Sequence, residues 1–323
     1  MVRIGIVGAA GYTAGELCRV LINHPQAEIV WMHSESNAGN RVTDVHSGLI
    51  GDTGLVFTDH LDWAAIDVVF LCFGHGKSRQ FLSENTIPTQ VRIIDLAQDF
   101  RLRADHDFIY GLPELHRSEI AQCRHLANPG CFATCIQLGL LPLAAHNLLH
   151  GAVSVNAITG STGAGVKPSA TTHFSWRSGN MSIYKAFEHQ HVPEIRQSLA
   201  ELQPAFDADI DFIPYRGDFP RGIFATEVLR VPDSLDIAEV ESWYEDFYRD
   251  APFTHYSHAP IDLKQVVNTN KCLLHVEKHG SRLLVTSVID NLLKGASGQA
   301  VQNMNLMFHL DETAGLRLKP LAF

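Results

Sequence analysis

With 323 residues, 46% of them hydrophobic and 19% charged, the chain exceeds what one compact core usually takes and shows no long polar or charge-block tract, so two globular domains are expected. A formal net charge of −10 with no Lys/Arg cluster argues against a nucleic-acid footprint, and no apolar run is long enough to span a bilayer. Six scattered cysteines make no disulfide framework, so reduced thiols in a cytoplasmic protein are expected, and the glycine-broken start is not a signal peptide.

The first segment alternates strands and helices. VRIGIV reads as a buried strand, and AGYTAGELCRVLINH as the turn and helix after it. EIVWMHS, DVVFLCF and VRIIDLA are further strands, with GKSRQFLSEN a helix among them. Short apolar runs punctuated in this way imply βαβ units and a parallel sheet of Rossmann type. After Cys131 the pattern changes. GAVSVNAITGSTGAG, IDFIPYR and GIFATEVLRV are longer strand-like runs, and CLLHVEKHGSRLLVTSVID is a hairpin turning at His279-Gly280. With the amphipathic helix DIAEVESWYEDFYRD among them, this half is expected to be an α+β domain with a mostly antiparallel sheet. GASGQAVQNMNLMFHL is helical again and is placed back on the first domain.

Gly8, Gly11 and Gly15, with Tyr12 and Thr13 between, follow the first strand. Such a strand, turn and helix bring backbone N–H groups to a pyrophosphate at the helix N-terminus. The spacing is not the usual G-x-G-x-x-G, and a turn that only lets a helix approach a sheet is the alternative. Its position after a clean first strand favours a dinucleotide site. Thr13 and Glu16 have capping-box spacing. After the second strand, Ser34, Ser36, Asn37 and Arg41 suit the 2′-phosphate of NADP(H), with Glu35 the dissenting residue. His75 and Gly76 end a parallel strand on the side where ligands bind in this fold class. Asp99 and Arg101 in DLAQDFR either pair with each other or border the active site.

LANPGCFATCIQLGLLPL raises a separate question, because Cys131 stands after Pro129-Gly130 at the mouth of an apolar helix. Packing gains little from a thiol there. Unpaired N–H groups and the helix dipole stabilise a thiolate. In HQHVPEI, His189 and His191 precede Pro193-Glu194, the first turn of another helix, and offer a base for that thiolate. Zinc held by Cys131, Cys135, His189 and His191 would be an unusual arrangement, so no metal is expected. A nicotinamide cofactor plus an activated thiol point to acyl redox chemistry through a thioester. A phosphate leaving group needs an anion pocket. TGSTGAGVKP offers one with Ser161, Thr162, Gly163, Gly165 and Lys167, the alternative being an ordinary glycine-rich loop. Arg221 in FPRGI is either a bidentate clamp for carboxylate or phosphate or a surface arginine.

NPGCFATCIQLGLLP resembles the active-site signature of the N-acetyl-gamma-glutamyl-phosphate reductase family, which reduces an acyl phosphate to a semialdehyde in the arginine pathway. The resemblance spans the chain through GAAGYTAGEL, YGLPEL, GSTGAG, HQHVPEI, FPRGI and DNLLKGASGQAVQNMN. Aspartate-semialdehyde dehydrogenase shares the architecture and chemistry but matches these motifs poorly. The resemblance implies an NADP-binding domain over residues 1–130 and 297–323, and a domain over 131–296 for catalysis, substrate binding and assembly into a homodimer or homotetramer. It makes Cys131 the nucleophile and a histidine of HQHVPEI the acid/base, His189 before His191, the latter contacting substrate or phosphate. Ser161, Gly163, Lys167, Arg221 and Glu194 fall on the substrate side, and Asn291 on the cofactor side. Where the family signature usually has a small residue, this chain has Cys135. The acyl group on the substrate nitrogen is acetyl by family default and otherwise open.

Overall fold

Val2–Val7 (β1) buries every residue except Arg3, as a strand covered on both faces must. Then come Tyr12–Leu21 (α1), Ala27–His33 (β2), Val42–Val45 (α2), Phe57–Thr58 (β3) and Val68–Leu71 (β4). Lys77–Glu84 (α3), Arg92–Asp95 (β5), Ile109–Tyr110 (β6), Pro113–Gln122 (α4) and His125–Ala127 (β7) follow. The strands form one sheet in the order β3-β2-β1-β4-β5-β7-β6, with every pair parallel. Strand order reverses at β1, so the loop after β1 lies at the topological switch point where this fold class binds ligands.

Cys131–Ala145 (α5) is a different object. Every residue from Phe132 to Ala144 is buried, because a helix apolar on all sides has to lie inside. The chain continues through Val153–Thr159 (β8), Phe174–Arg177 (α6), Ser182–Ile183 (β9), Val192–Leu202 (α7), Ile210–Arg216 (β10) and Ile223–Arg230 (β11). Ile237–Phe247 (α8), Thr254–Tyr256 (β12), Cys272–His279 (β13) and Arg282–Ile289 (β14) complete this part. The second sheet runs β12-β13-β14-β11-β8-β10-β9. Its pairs β9/β10, β8/β11, β11/β14 and β13/β14 are antiparallel, and β8/β10 and β12/β13 are parallel. The hairpin turns one residue later than expected. His279 pairs with Arg282, leaving Gly280-Ser281 as the loop, and Gly280 at φ +58° takes the left-handed conformation that a two-residue hairpin loop needs.

On β11 the residues Ile223, Ala225, Glu227 and Leu229 point inward, as period-2 alternation requires. Glu227 is the anomaly in that row. It is fully buried, neither carboxyl oxygen has a hydrogen-bond partner, and burial holds its pKa well above the carboxyl range. Gly139 of α5 makes room for it, since a Cβ there would collide with the carboxyl. The Tyr244 and Tyr248 hydroxyls donate to the carbonyls of Gly139 and Leu138, at 2.5 and 2.6 Å, and tie α8 to α5 at the same level.

Leu293–Ser297 is a π-helical turn, and Gly298–Met307 (α9) packs on α4 and α1. The computed structural model describes residues 1–74 and 76–321. By internal contacts they divide into a first unit, Met1–Pro129 with Ala296–Arg317, and a second, Gly130–Gly295 with the described tail from Leu318. The sequence reading put that tail in the first domain. The Asn268 side chain donates to the Lys319 carbonyl at 3.3 Å and draws it to the second unit. No helix among the described residues is long and apolar enough to cross a membrane.

Candidate active site

In the first unit, Gly8 has φ +73°, and a Cβ there would lie 2.7 Å from the Cys72 carbonyl oxygen. Both conditions demand glycine. Gly11 is the N-cap of α1 and provides no side-chain cap, so the first-turn N–H groups have no carbonyl ahead of them to bond. The expected Thr13–Glu16 capping box does not form. The helix starts at Tyr12, which puts Thr13 inside it, and the Glu16 carboxylate pairs with Arg19 at 2.9 Å. Tyr12 is exposed.

At the end of β2, the Asn37 amide donates to the hydroxyls of Ser34 and Ser36, each at 3.1 Å, and gathers the three expected phosphate ligands together. Glu35 and Arg41 are both exposed. Arg41 is the N-cap of α2, with its backbone N–H on Asp44, and its guanidinium makes no ion pair among the described residues. Gly76 caps α3 with φ +85° and donates to Asp99 at 2.7 Å, whereas His75 lies outside the described residues. Asp99 accepts from the N–H groups of Gly76 and Arg79, which caps α3. Arg101 is buried and donates to the carbonyls of Leu96 and Asn128. Asn128, which drew no notice in the sequence, is also held by Ala296 and Asn303, so the approach to Pro129-Gly130 is fixed in the first unit.

In the second unit, Cys131 is the first residue of α5, with Gly130 as N-cap. It alone of the six cysteines is not buried. Burial pushes the thiols of Cys18 up to about 11 and of Cys72 and Cys123 up to about 12, so these remain protonated at neutral pH. Cys135 is raised as well, chiefly by burial, and its thiol donates to the Ser287 carbonyl at 3.3 Å. One helical turn separates a packed thiol from an accessible one.

Around the start of α5 lie both histidines of HQHVPEI, each buried. The ring of Phe132 stands edge-on to His189 at 5.3 Å and packs on His191 at 6.3 Å. His189 Nδ1 accepts the backbone N–H of His191 at 3.2 Å, which leaves Nε2 to carry the proton of the neutral ring. Glu194, expected on the substrate side, is buried, accepts the Gly130 N–H at 3.0 Å and stands 4.0 Å from His191 Nε2, so it holds the N-cap of α5 beside the second histidine.

Two neighbours escaped the sequence reading. A Cβ on Gly295, in the π-helical turn, would lie 2.8 Å from the Cys131 Cβ, so only glycine lets that turn approach the thiol. Tyr184 packs on His189 at 5.8 Å, and its pKa is pushed well up by burial and further by Cys131 beside it. Only distant pairing reveals either residue.

Two expected ligands, and the backbone of the expected anion loop, are engaged inside the unit. Arg221 clamps a carboxylate, but the carboxylate is that of buried Asp290, with both contacts at 3.1 Å. The Asn291 amide accepts from Gly222 at 2.7 Å and donates to Thr162 at 3.0 Å, and it belongs to the second unit rather than the cofactor unit. In the loop after β8, the N–H groups of Ser161, Thr162, Gly163 and Gly165 all bond backbone carbonyls, so they form no cradle for phosphate. The Ser161 hydroxyl and the exposed Lys167 remain as polar groups there, and Gly163 offers only its exposed backbone.

Residues 3–123 match the family model described as semialdehyde dehydrogenase, NAD binding domain, and residues 131–291 the one described as semialdehyde dehydrogenase, dimerisation domain. The chain is 64% identical to an N-acetyl-gamma-glutamyl-phosphate reductase of Bacteroides thetaiotaomicron and 55% identical to one of Flavobacterium johnsoniae, over 100% of both chains in each case. The chain belongs to the N-acetyl-gamma-glutamyl-phosphate reductase family. Similar solved structures include aspartate semialdehyde dehydrogenase II of Vibrio cholerae in complex with ASA, with a TM-score of 0.74 at 17% identity over 96% of this chain and 98% of that one. Aspartate semialdehyde dehydrogenase of Candida albicans with NADP gives a TM-score of 0.73 at 14% identity over 95% and 98%. These two likenesses concern the fold alone. The second family model opens on Cys131, the residue at which α5 starts.

Proposed function

We propose that the protein reduces an N-acyl-γ-glutamyl phosphate, N-acetyl by default, to the N-acyl-glutamate 5-semialdehyde with release of phosphate, using NADPH, in arginine biosynthesis. The observation that carries this reading is the accessible thiol at the first position of a 15-residue buried helix, with two buried histidines beside it.

The first unit fits the cofactor. Gly8 and Gly11 leave a side-chain-free turn before α1, and Ser34, Ser36, Asn37 and Arg41 offer donors and a cation for a 2′-phosphate. When bound there, the cofactor supplies hydride. The protein's own residues do the rest. The Cys131 thiolate, stabilised by the α5 N-terminus, attacks the acyl-phosphate carbon, the C–O bond to phosphate breaks, and a thioester forms. After reduction the thiohemiacetal oxygen needs a proton until the C–S bond breaks and aldehyde leaves. We assign that acid/base role to His189 Nε2, supported by the hydrogen bond that Nδ1 accepts, with His191 on substrate or phosphate. The reading includes a homodimer or homotetramer in the cytoplasm.

The reverse reaction tests it. Phosphate and a panel of N-acylated glutamate semialdehydes should yield NADPH in the spectrophotometer, with little NADH from NAD. Turnover confined to aspartate semialdehyde, or no turnover of any member, would sink the assignment.

A further inference from the structure

Arg216 ends β10, and Arg177 closes the short α6. Arg177 is buried and donates to the carbonyls of Arg216 at 3.0 Å, Gly217 at 3.3 Å and Thr171 at 3.2 Å, while its Nε has no partner. Arg216 is half-buried and donates from one nitrogen to the Thr171 hydroxyl at 3.1 Å. Among the described residues neither guanidinium forms an ion pair. Asp218 is an acidic influence on Arg177, but it is exposed and accepts the Gly179 N–H at 2.6 Å. Two cations side by side with one exposed carboxylate as counter-charge repel each other and gain from an anion brought from outside.

The place of the pair says which anion. The Arg216 guanidinium lies over the Tyr184 ring, 4.6 Å from its centre, and the same ring packs on His189 and feels Cys131. The cation is thus one aromatic ring removed from the reacting centre. A phosphate leaving group is bonded to the carbon under attack and must sit beside the sulfur. A carboxylate at the far end of a glutamyl chain lies three carbons away. An arginine fork with unspent donors suits a planar carboxylate. Arg221, the arginine singled out from sequence, is neutralised by Asp290.

We propose that Arg216, backed by Arg177, is the subsite for a substrate carboxylate remote from the carbonyl that Cys131 attacks. The proposal rests on the reductase reading and adds the recognition element to it. The source is either the α-carboxylate or a carboxylate carried by the N-acyl group.

Arg216→Ala and Arg216→Lys in the full chain, checked by circular dichroism, are to be compared with wild type on three semialdehydes. One is the N-acetyl compound, one its 1-carboxamide, and one bears an N-acyl group ending in a carboxylate. Arg216→Ala should raise KM for the preferred semialdehyde about 10- to 100-fold while KM for phosphate stays within roughly twofold. Arg216→Lys should recover part of that loss. Wild type should reject the compound lacking the recognised carboxylate, and Arg216→Ala should not, so the compound that loses discrimination identifies the source. A selective rise in KM for phosphate, or unchanged discrimination, overturns the proposal. N-acetyl-L-glutamate protecting Cys131 from iodoacetamide gives a readout without turnover. Protection in wild type that vanishes in Arg216→Ala supports the subsite even if no acyl phosphate is reduced, an outcome that would sink the reductase reading instead. Equal protection in both proteins, or none in either, overturns the subsite.

Discussion

α1 and α5 both begin immediately after a glycine N-cap, and they use the same electrostatics in opposite ways. The start of α1 is kept bare. Gly8 packs on the Cys72 carbonyl, Gly11 brings no side chain, and the first-turn N–H groups have no side-chain cap. The start of α5 is furnished from within. Glu194 takes the Gly130 N–H, Gly295 closes on Cys131, and in the proposed reading the anion that the dipole favours is the chain's own thiolate. On the proposed reading the bare N-terminus serves cofactor binding and the furnished one the nucleophile, so variants in the two places should separate cofactor affinity from chemistry.

Cys131→Ser should break the comparison most sharply. Acyl-phosphate reduction should fall by about four to six orders of magnitude, since a hydroxyl there is not ionised at neutral pH and forms no thioester. NADPH affinity, followed by fluorescence titration, should stay near normal. Cys135→Ala should be mild, because that thiol is packed on Ser287. A dead Cys135 variant beside an active Cys131 variant would falsify the assignment of nucleophile.

His189→Ala comes next, with turnover slowed by roughly two to four orders of magnitude. Alkylation of Cys131 by iodoacetamide should shift to higher pH in this variant, because a base that helps hold the thiolate is gone. His191→Ala should act more on apparent substrate affinity. If the larger alkylation shift belongs to His191→Ala, the two roles are exchanged.

At the α1 end, Arg41→Ala should raise KM for NADPH by about one to two orders of magnitude and leave that for NADH nearly unchanged. Equal loss with both cofactors would make Arg41 a residue of the α2 cap only.

The smallest effect is on stability. Burial raises the Glu227 pKa in the folded state, so the carboxyl is neutral in both states at low pH. As pH rises past the ordinary carboxyl value, the unfolded chain ionises first, and stability is lost up to the folded pKa. Glu227→Gln removes that loss. Its unfolding free energy relative to wild type, from denaturant titration, should climb between pH 5 and 8, by at most about 1.4 kcal/mol per pH unit. A constant difference across that range would mean that another group dominates.

Legibility followed distance along the chain. Both sheets, the buried α5 and the position of Cys131 at the mouth of that helix are written in local periodicity and in the Pro-Gly step, and the fold agrees with them. The capping box failed on a purely local point, because the helix begins one residue before Thr13 and Glu16 has a nearer partner in Arg19. The partners of Arg221 and Asn291, Asp290 and Gly222, were not legible because they lie 69 positions away from them. A residue type says what it could hold, but only the tertiary pairing says whether its valence is spent. Arg216 shows the converse. It passed as the last residue of an ordinary strand, and its lack of an ion pair among the described residues is visible only once Arg177 and Tyr184 stand beside it.

Burial of five thiols out of six has an effect outside the catalytic cycle. Oxidation follows thiolate character and access, so peroxide should enter this molecule at a single sulfur. Low doses should therefore produce one population carrying one sulfenic acid, reversible by added thiol, with the interior cysteines untouched. Further oxidation of that atom would silence the enzyme without unfolding it. Intact-mass spectra during peroxide exposure would then display a one-oxygen ladder on a single residue, and residual activity would report the redox history of the sample.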